Sequence, residues 1–216
     1  MCRNCVPEWL PAIKASRQHL VYRKGETLFK ENEPVNGMFF VETGSVKVHK
    51  QWGDKELIIR IAKHGEIAGH RGLGADLVYP VSATALEPVT VCFLDMAFFT
   101  ATLKVNPGFL YELMMFFASE LKESERRMRN LAHMPAKGRL AQAIINLEEK
   151  FGVNELGQIR LSLSKQDIAY YAGTAYETIF RMLQDLTEEG LLKVEGKEIS
   201  ILQPLKLREL TMSDSQ

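Results

Sequence analysis

Residues 164–192 read SKQDIAYYAGTAYETIFRMLQDLTEEGLL: a short helix, a glycine turn, a longer helix and a stop. The small Ala169 stands four positions before Gly173, and the apolar Ile179 stands six after it. This is helix-turn-helix spacing. A small residue lets two helices approach, glycine makes the turn, and an aliphatic side chain fills the angle between them. Ser164, with Asp167 three residues on, fits an N-cap. On the second helix Tyr176, Glu177, Phe180, Arg181 and Gln184 share one face, and Ile179, Met182, Leu183 and Leu186 share the other. The second face is core. The first carries carboxylate, guanidinium and amide groups suited to base edges in a major groove, which predicts double-stranded DNA as a partner.

Downstream, residues 191–194 and 199–202 flank a turn at Glu195-Gly196-Lys197, so a hairpin follows the two helices and completes a winged helix. Upstream, residues 161–163 read as a short strand, and residues 138–151 as an amphipathic helix with Leu140, Ala143, Ile144 and Leu147 inward. Pro135 marks a break, and residues 135–138 are the expected hinge.

Before that break, Leu110, Met114, Phe117, Leu121, Ser124, Met128 and Leu131 recur at alternating steps of four and three. The seam fits a core helix of a monomer or one strand of a two-stranded coil. Its regularity and the charged far side (Lys122, Glu123, Arg126, Arg127) favour the coil, with Ser124 facing the partner helix. Residues 20–99 are short apolar or alternating runs broken at Lys24-Gly25, Asn36-Gly37, Thr43-Gly44, Trp52-Gly53-Asp54 and His64-Gly65, the pattern of a β-sandwich or barrel.

The expected class is α+β. An N-terminal double-stranded β-helix (jelly-roll) sensor domain spans 1–106, a dimerisation helix 107–134, and a winged helix-turn-helix domain 135–216.

Net charge is zero, 27 Lys plus Arg against 27 Asp plus Glu, a mild argument against nucleic acid. Residues 135–216 do not reverse it: 10 basic side chains stand against 12 acidic, a net of −2. Basic groups must therefore be local, at Arg181, Lys165, Lys193 and Lys197. Low non-specific affinity and a modest salt slope follow. No run of about 18 apolar residues suggests a membrane span. With no leader pattern at the N-terminus, the expectation is a cytoplasmic protein.

A β-roll, a long dimer helix, a hinge and a winged helix-turn-helix together resemble the CRP/FNR family of bacterial transcription regulators. The resemblance runs over about residues 20–202. Its sharpest local matches are Gly138-Arg139-Leu140-Ala141 and Glu177-Thr178-Ile179-Phe180-Arg181. It implies a homodimer on a palindromic operator, an effector in the roll, and RNA polymerase as a further partner. It also implies that Glu177 and Arg181 read a G·C pair in each half-site. The chemistry agrees, since Arg bonds guanine O6/N7 and a carboxylate accepts from cytosine N4. The alternative is an i,i+4 surface ion pair. Tyr176 stands where cyclic-AMP-responsive relatives have an arginine, and Phe180 where oxygen-sensing relatives have a serine. Either ring could touch a thymine methyl, touch the sugar-phosphate edge or simply pack, so the operator cannot be copied from a relative. Lys165, Gln166, Thr174 and Thr178 are candidate phosphate contacts, which position without reading sequence.

Cyclic-nucleotide-binding relatives hold ribose with a glutamate after a glycine and phosphate with an arginine before Ser-Ala. The matching stretches here are Gly69-His70-Arg71 and Val81-Ser82-Ala83. His70 replaces the glutamate, Val81 replaces the arginine, and Ser124-Glu125 replaces the pair that meets adenine. Cyclic AMP is therefore a poor fit. His70 and Arg71 either bind an anion of another shape, or are solvated or cap the loop. An alternative is a redox- or iron–sulfur-sensing regulator through Cys2-x-x-Cys5; with Cys92 on a strand the chain falls short of the four thiolates a cluster takes, and Cys2 and Cys5 could instead be a redox pair or share a metal with a His. The cofactor is left unknown. Two other readings are a cupin-like enzyme and a cyclic-nucleotide-binding subunit acting on a protein. The first lacks a His-x-His pair among His49, His64 and His70, or any nucleophile–base set. The second leaves the exposed Glu177/Arg181 face without a use.

Overall fold

The computed structural model describes residues 5–212. The chain divides into two compact units, residues 1–124 and 125–216, and the division falls inside its longest helix.

The first unit opens with a 3₁₀ turn at Pro7–Trp9 and helix α1 (Leu10–Ser16). Eight strands follow: β1 (Gln18–Tyr22), β2 (Thr27–Phe29), β3 (Gly37–Thr43), β4 (Val46–Trp52), β5 (Lys55–Ala62), β6 (Ile67–Ala68), β7 (Ser82–Ala85) and β8 (Val89–Asp95). They form two antiparallel four-stranded sheets, ordered β1-β8-β3-β6 and β2-β7-β4-β5. Sequence neighbours β2 and β3 lie in different sheets, as do β7 and β8, which is the jelly-roll crossing.

Alternation does the folding work. On β7, Ala83 and Ala85 are buried and their neighbours half-buried; on β8, Val89, Val91 and Leu94 point inward. One core includes Met38, Val46, Val91 and the stacked pair Phe29 and Tyr79, whose ring centroids lie 4.0 Å apart.

Two helices close the roll. Asp95 caps α2 (Met96–Val105), its carboxylate accepting from Phe98 N at 2.8 Å. Phe99 of α2 and Phe109 and Leu113 of α3 (Pro107–His133) complete the core. The N-terminal segment docks on α2: Trp9 Nε1 donates to Thr102 Oγ1 at 3.1 Å, and Val6 N to Asn106 Oδ1 at 2.8 Å.

The second unit holds the rest of α3, then α4 (Ala136–Phe151), α5 (Lys165–Ala172), α6 (Tyr176–Glu188), the hairpin β9 (Leu192–Glu195) and β10 (Glu198–Ile201), and α7 (Pro204–Glu209). Pro135 is the N-cap of α4, so α3 ends just before it, whereas the division into two units falls ten residues before the expected domain boundary, after Ser124. The strand expected over residues 161–163 does not form. Leu161 and Leu163 are buried outside any strand, and nearby Val153 and Ile159 form an isolated bridge. Helices α1, α2 and α7 were not foreseen. No helix of the described residues is long and apolar enough to cross a membrane.

Candidate nucleic-acid interface

The helix-turn-helix assembles as its spacing requires. Ser164 caps α5, its hydroxyl accepting from Asp167 N at 3.0 Å and donating to the Asp167 carboxylate. Gly173 closes the helix at φ 65°, ψ 49°, a left-handed conformation that glycine adopts without strain. Thr174 N returns to Ala169 O at 3.0 Å. Ala169 and Ile179 are both fully buried.

The motif at 138–141 also has a physical meaning. A Cβ on Gly138 would lie 2.5 Å from Leu210 O, so α4 and the segment after α7 approach through that glycine. Arg139 gathers three carbonyls: Met134 O at 2.7 Å, Ala172 O at 3.1 Å and Gly173 O at 3.2 Å. One guanidinium thus ties the start of α4 to the turn of the motif. Arg127, expected on the charged far side of a coil, is turned to α5. It lies 4.9 Å over the Tyr171 ring and donates to Tyr171 O at 2.9 Å.

The outer face of α6 is bare. Glu177, Arg181 and Gln184 are exposed, with Tyr176 at 40% and Phe180 at 42% exposure. Among the described residues no ion pair joins Glu177 to Arg181. Lys165 stands with Nζ 4.6 Å over the Phe180 ring, and the two edge a hollow of about 240 Å³ that reaches Gln184 and Val194 of the wing. Gln166, Thr174 and Thr178 are half-buried around this face. Lys193 pairs with Glu195 at 3.0 Å, an exposed contact of little energetic weight.

The expected effector residues Gly69, Ser82 and Ala83 come from both sheets of the roll. Gly69 (φ +92°) follows β6 in one sheet, while Ser82 and Ala83 lie on β7 in the other. Ser82 Oγ accepts from Glu31 N at 3.0 Å, and Ala83 is fully buried.

His70 is buried rather than solvated, and Arg71 meets a carboxylate of the chain's own α3. His70 is 1% exposed, edge-on to Phe116 and Phe117 at 4.9 and 5.4 Å. Its Nε2 lies 3.8 Å from Glu120 of α3, and Arg71 Nη2 donates to the same carboxylate at 2.8 Å. Arg60 of β5 completes the cluster, with Nε 3.2 Å from Glu120, Nη2 2.6 Å from Glu66 and Nη1 2.8 Å from Ile67 O.

Burial pushes the His70 imidazole below its ordinary value, against the pull of Glu120. Burial alone would raise the Glu120 carboxyl. Its contact with His70 and the charges of Arg60 and Arg71 outweigh that and hold it at about 2. Sequence reading missed Arg60, Glu66 and Glu120. The available signal was an arginine set among inward aliphatics in Leu57-Ile58-Ile59-Arg60-Ile61.

Along the seam Leu110, Met114, Leu121, Met128 and Leu131 are exposed, Leu121 and Met128 each at 61%. Phe117 departs from the expected pattern, since it packs partly on the roll against His70. Ser124 is half-buried.

Residues 19–106 match the family described as cyclic nucleotide-binding domain, and residues 138–210 the Crp-like helix-turn-helix domain. The chain is 31% identical over 188 residues to the transcriptional activator protein FnrA of Stutzerimonas stutzeri, covering 86% of this chain and 77% of that one. This protein belongs to the CRP/FNR family of transcription regulators.

The transcriptional activator protein anr of Pseudomonas aeruginosa is 30% identical over the same shares of each chain. The solved structure of FixK2 from Bradyrhizobium japonicum superimposes with a TM-score of 0.82 at 24% identity, over 92% of this chain and 99% of that one, and so shares the fold. As a CRP/FNR regulator the chain carries a C-terminal DNA-binding domain and is not an enzyme. Among the described residues no group of three or more His, Cys, Asp or Glu could hold a metal. Cys5 is buried and Cys92 partly buried on β8, while Cys2 lies outside the described residues.

Proposed function

We propose that two copies of the chain pair along the α3 seam and bind a palindromic operator, each placing α6 in a major groove. The observation that carries this reading is the outer face of α6, where Glu177 and Arg181 stand exposed and unjoined. Arg181 takes the guanine edge and Glu177 the cytosine N4 of one pair per half-site. Tyr176 and Phe180 supply apolar contact with neighbouring bases or sugars. Lys165, Gln166, Thr174 and Thr178 contact phosphates.

The dimer reading rests on the row of exposed Leu and Met at heptad spacing, too apolar a stripe to be left to water. The roll is the sensor, and cyclic AMP is not its effector. Val81, where relatives carry the phosphate-binding arginine, is buried in the core, and His70 is packed under α3. The protein works in the cytoplasm, with RNA polymerase as a further partner.

Selection of sites from a random duplex library by purified protein tests the reading. The expected product is a palindrome with a G·C pair in each arm. Enrichment of no sequence, with or without nucleotides and under air or anaerobically, would overturn it. Leu121→Glu is expected to give a monomer by sedimentation, since pairing would bury two unpartnered carboxylates across one seam.

A further inference from the structure

The roll turns an excess of cationic and protonatable groups toward α3. Arg60 shares itself between Glu66 and Glu120, whereas Arg71 and His70 both converge on Glu120. Both His70 nitrogens and Arg71 Nε are buried without a hydrogen-bond partner. A neutral imidazole carries one N–H, so that proton and the Arg71 Nε–H are the buried donors that Glu120 leaves unused. A hydrophobic network would not arrange its polar atoms this way, because each buried, unspent N–H costs free energy. An anion receptor does, because its donors are set for a charge with several acceptor oxygens. Phe116 and Phe117 pack edge-on against His70 and reduce its access to water, which strengthens a charge contact beside it.

We propose that Arg60, His70 and Arg71 form an anion receptor for a carboxylate-sized oxyanion, and that Glu120 of the chain's own α3 is its resident occupant. The roll then holds the first half of α3 with no diffusible ligand, and an anionic effector acts by displacing Glu120. This rests on reading the roll as the sensor. Its test reads anion binding with no DNA present, so it stands or falls apart from operator binding.

The test is a thermal and calorimetric titration of the full-length protein with sodium acetate, ionic strength being held constant with chloride. Glu120→Ala deletes the occupant and is expected to bind acetate, seen as a saturable rise in melting temperature and a measurable heat. The wild-type protein and Glu120→Ala combined with Arg71→Gln are expected to respond no more than to chloride. If Glu120→Ala does not fold in chloride, acetate is expected to restore its circular dichroism. Glu120→Gln keeps the volume without the charge, so its amide fills the receptor and it is expected to ignore acetate. The proposal is overturned by absence of a saturable response in Glu120→Ala, by its failure to fold at every acetate concentration, or by an equal response in the wild type, in the double variant or in Glu120→Gln.

Discussion

The chain uses its charges in two opposite ways. In the roll, Arg60, Glu66, Arg71 and Glu120 face one another, with side chains from 8% to 25% exposed. On α6, Glu177 and Arg181 sit four residues apart, exposed and unjoined, although that spacing permits a pair. A buried cluster must satisfy its charges internally, because an unpaired charge out of water costs several kcal/mol. An exposed face has no such obligation, since water solvates it until something else does. The contrast separates groups that hold the protein together from groups that wait for a partner.

Removing one guanidinium from the inward set gives the largest effect. Arg60→Ala leaves Glu120 and Glu66 short of a cation under Phe116, and breaking such a buried pair is expected to cost about 3–5 kcal/mol. Urea unfolding of the full-length protein measures this, and the base preference of any protein still folded should be unchanged. A loss below about 1 kcal/mol would place the cluster with ordinary surface pairs and erase the contrast.

The outward set should behave in reverse. Arg181→Ala is expected to weaken binding to the selected operator by about 1–3 kcal/mol and to relax one base position per half-site. Its stability should move by no more than about 0.5 kcal/mol, as for an exposed side chain with no partner. Equal weakening on every sequence would make Arg181 a phosphate contact instead. Repeating the selection with Phe180→Ala sharpens the point. A change in the base beside the G·C pair assigns the ring to readout, and no change assigns it to support under Lys165.

How far the sequence could be read follows the same division. The helix-turn-helix was legible in detail because its determinants are local: Ala169, Gly173 and Ile179 act on one another within ten residues of chain. The seam of α3 was legible as a period, yet not as a surface. Nothing in a heptad says that Phe117 leans onto the roll while Leu121 stays exposed, because that depends on where the roll lies. The Glu120 cluster was illegible for a related reason. Its members are 60 residues apart at the extremes, on β5 and α3, and the roll's connections bring them together. Reading His70 by its position in a motif pointed to a ligand, while its burial against two phenylalanines was a tertiary fact. The motif at 138–141 was recognisable before its cause was visible, since the approach of Gly138 to Leu210 O joins residues far apart in the chain.

The smallest effect tests the inward set by proton rather than by mutation. Burial lowers the folded-state pKa of His70 below the ordinary 6.5, so the folded protein binds that proton less readily than the unfolded chain. The resulting stability is fully present above pH 6.5 and is lost as pH falls through that value toward the folded pKa, with a slope of at most about 1.4 kcal/mol per pH unit for one proton. Glu120 works in the same direction but lower down. Its carboxyl, near 2 in the fold against 4.5 otherwise, contributes above pH 4.5 and loses that contribution only below it. Between pH 7 and 5, then, the histidine is the cluster's titrating group. Urea midpoints across that range should fall for the wild type and stay flatter for His70→Leu, which keeps the packing between Phe116 and Phe117. Parallel curves for the two proteins would show that the ring titrates as it does in water, which its burial forbids if the cluster is formed.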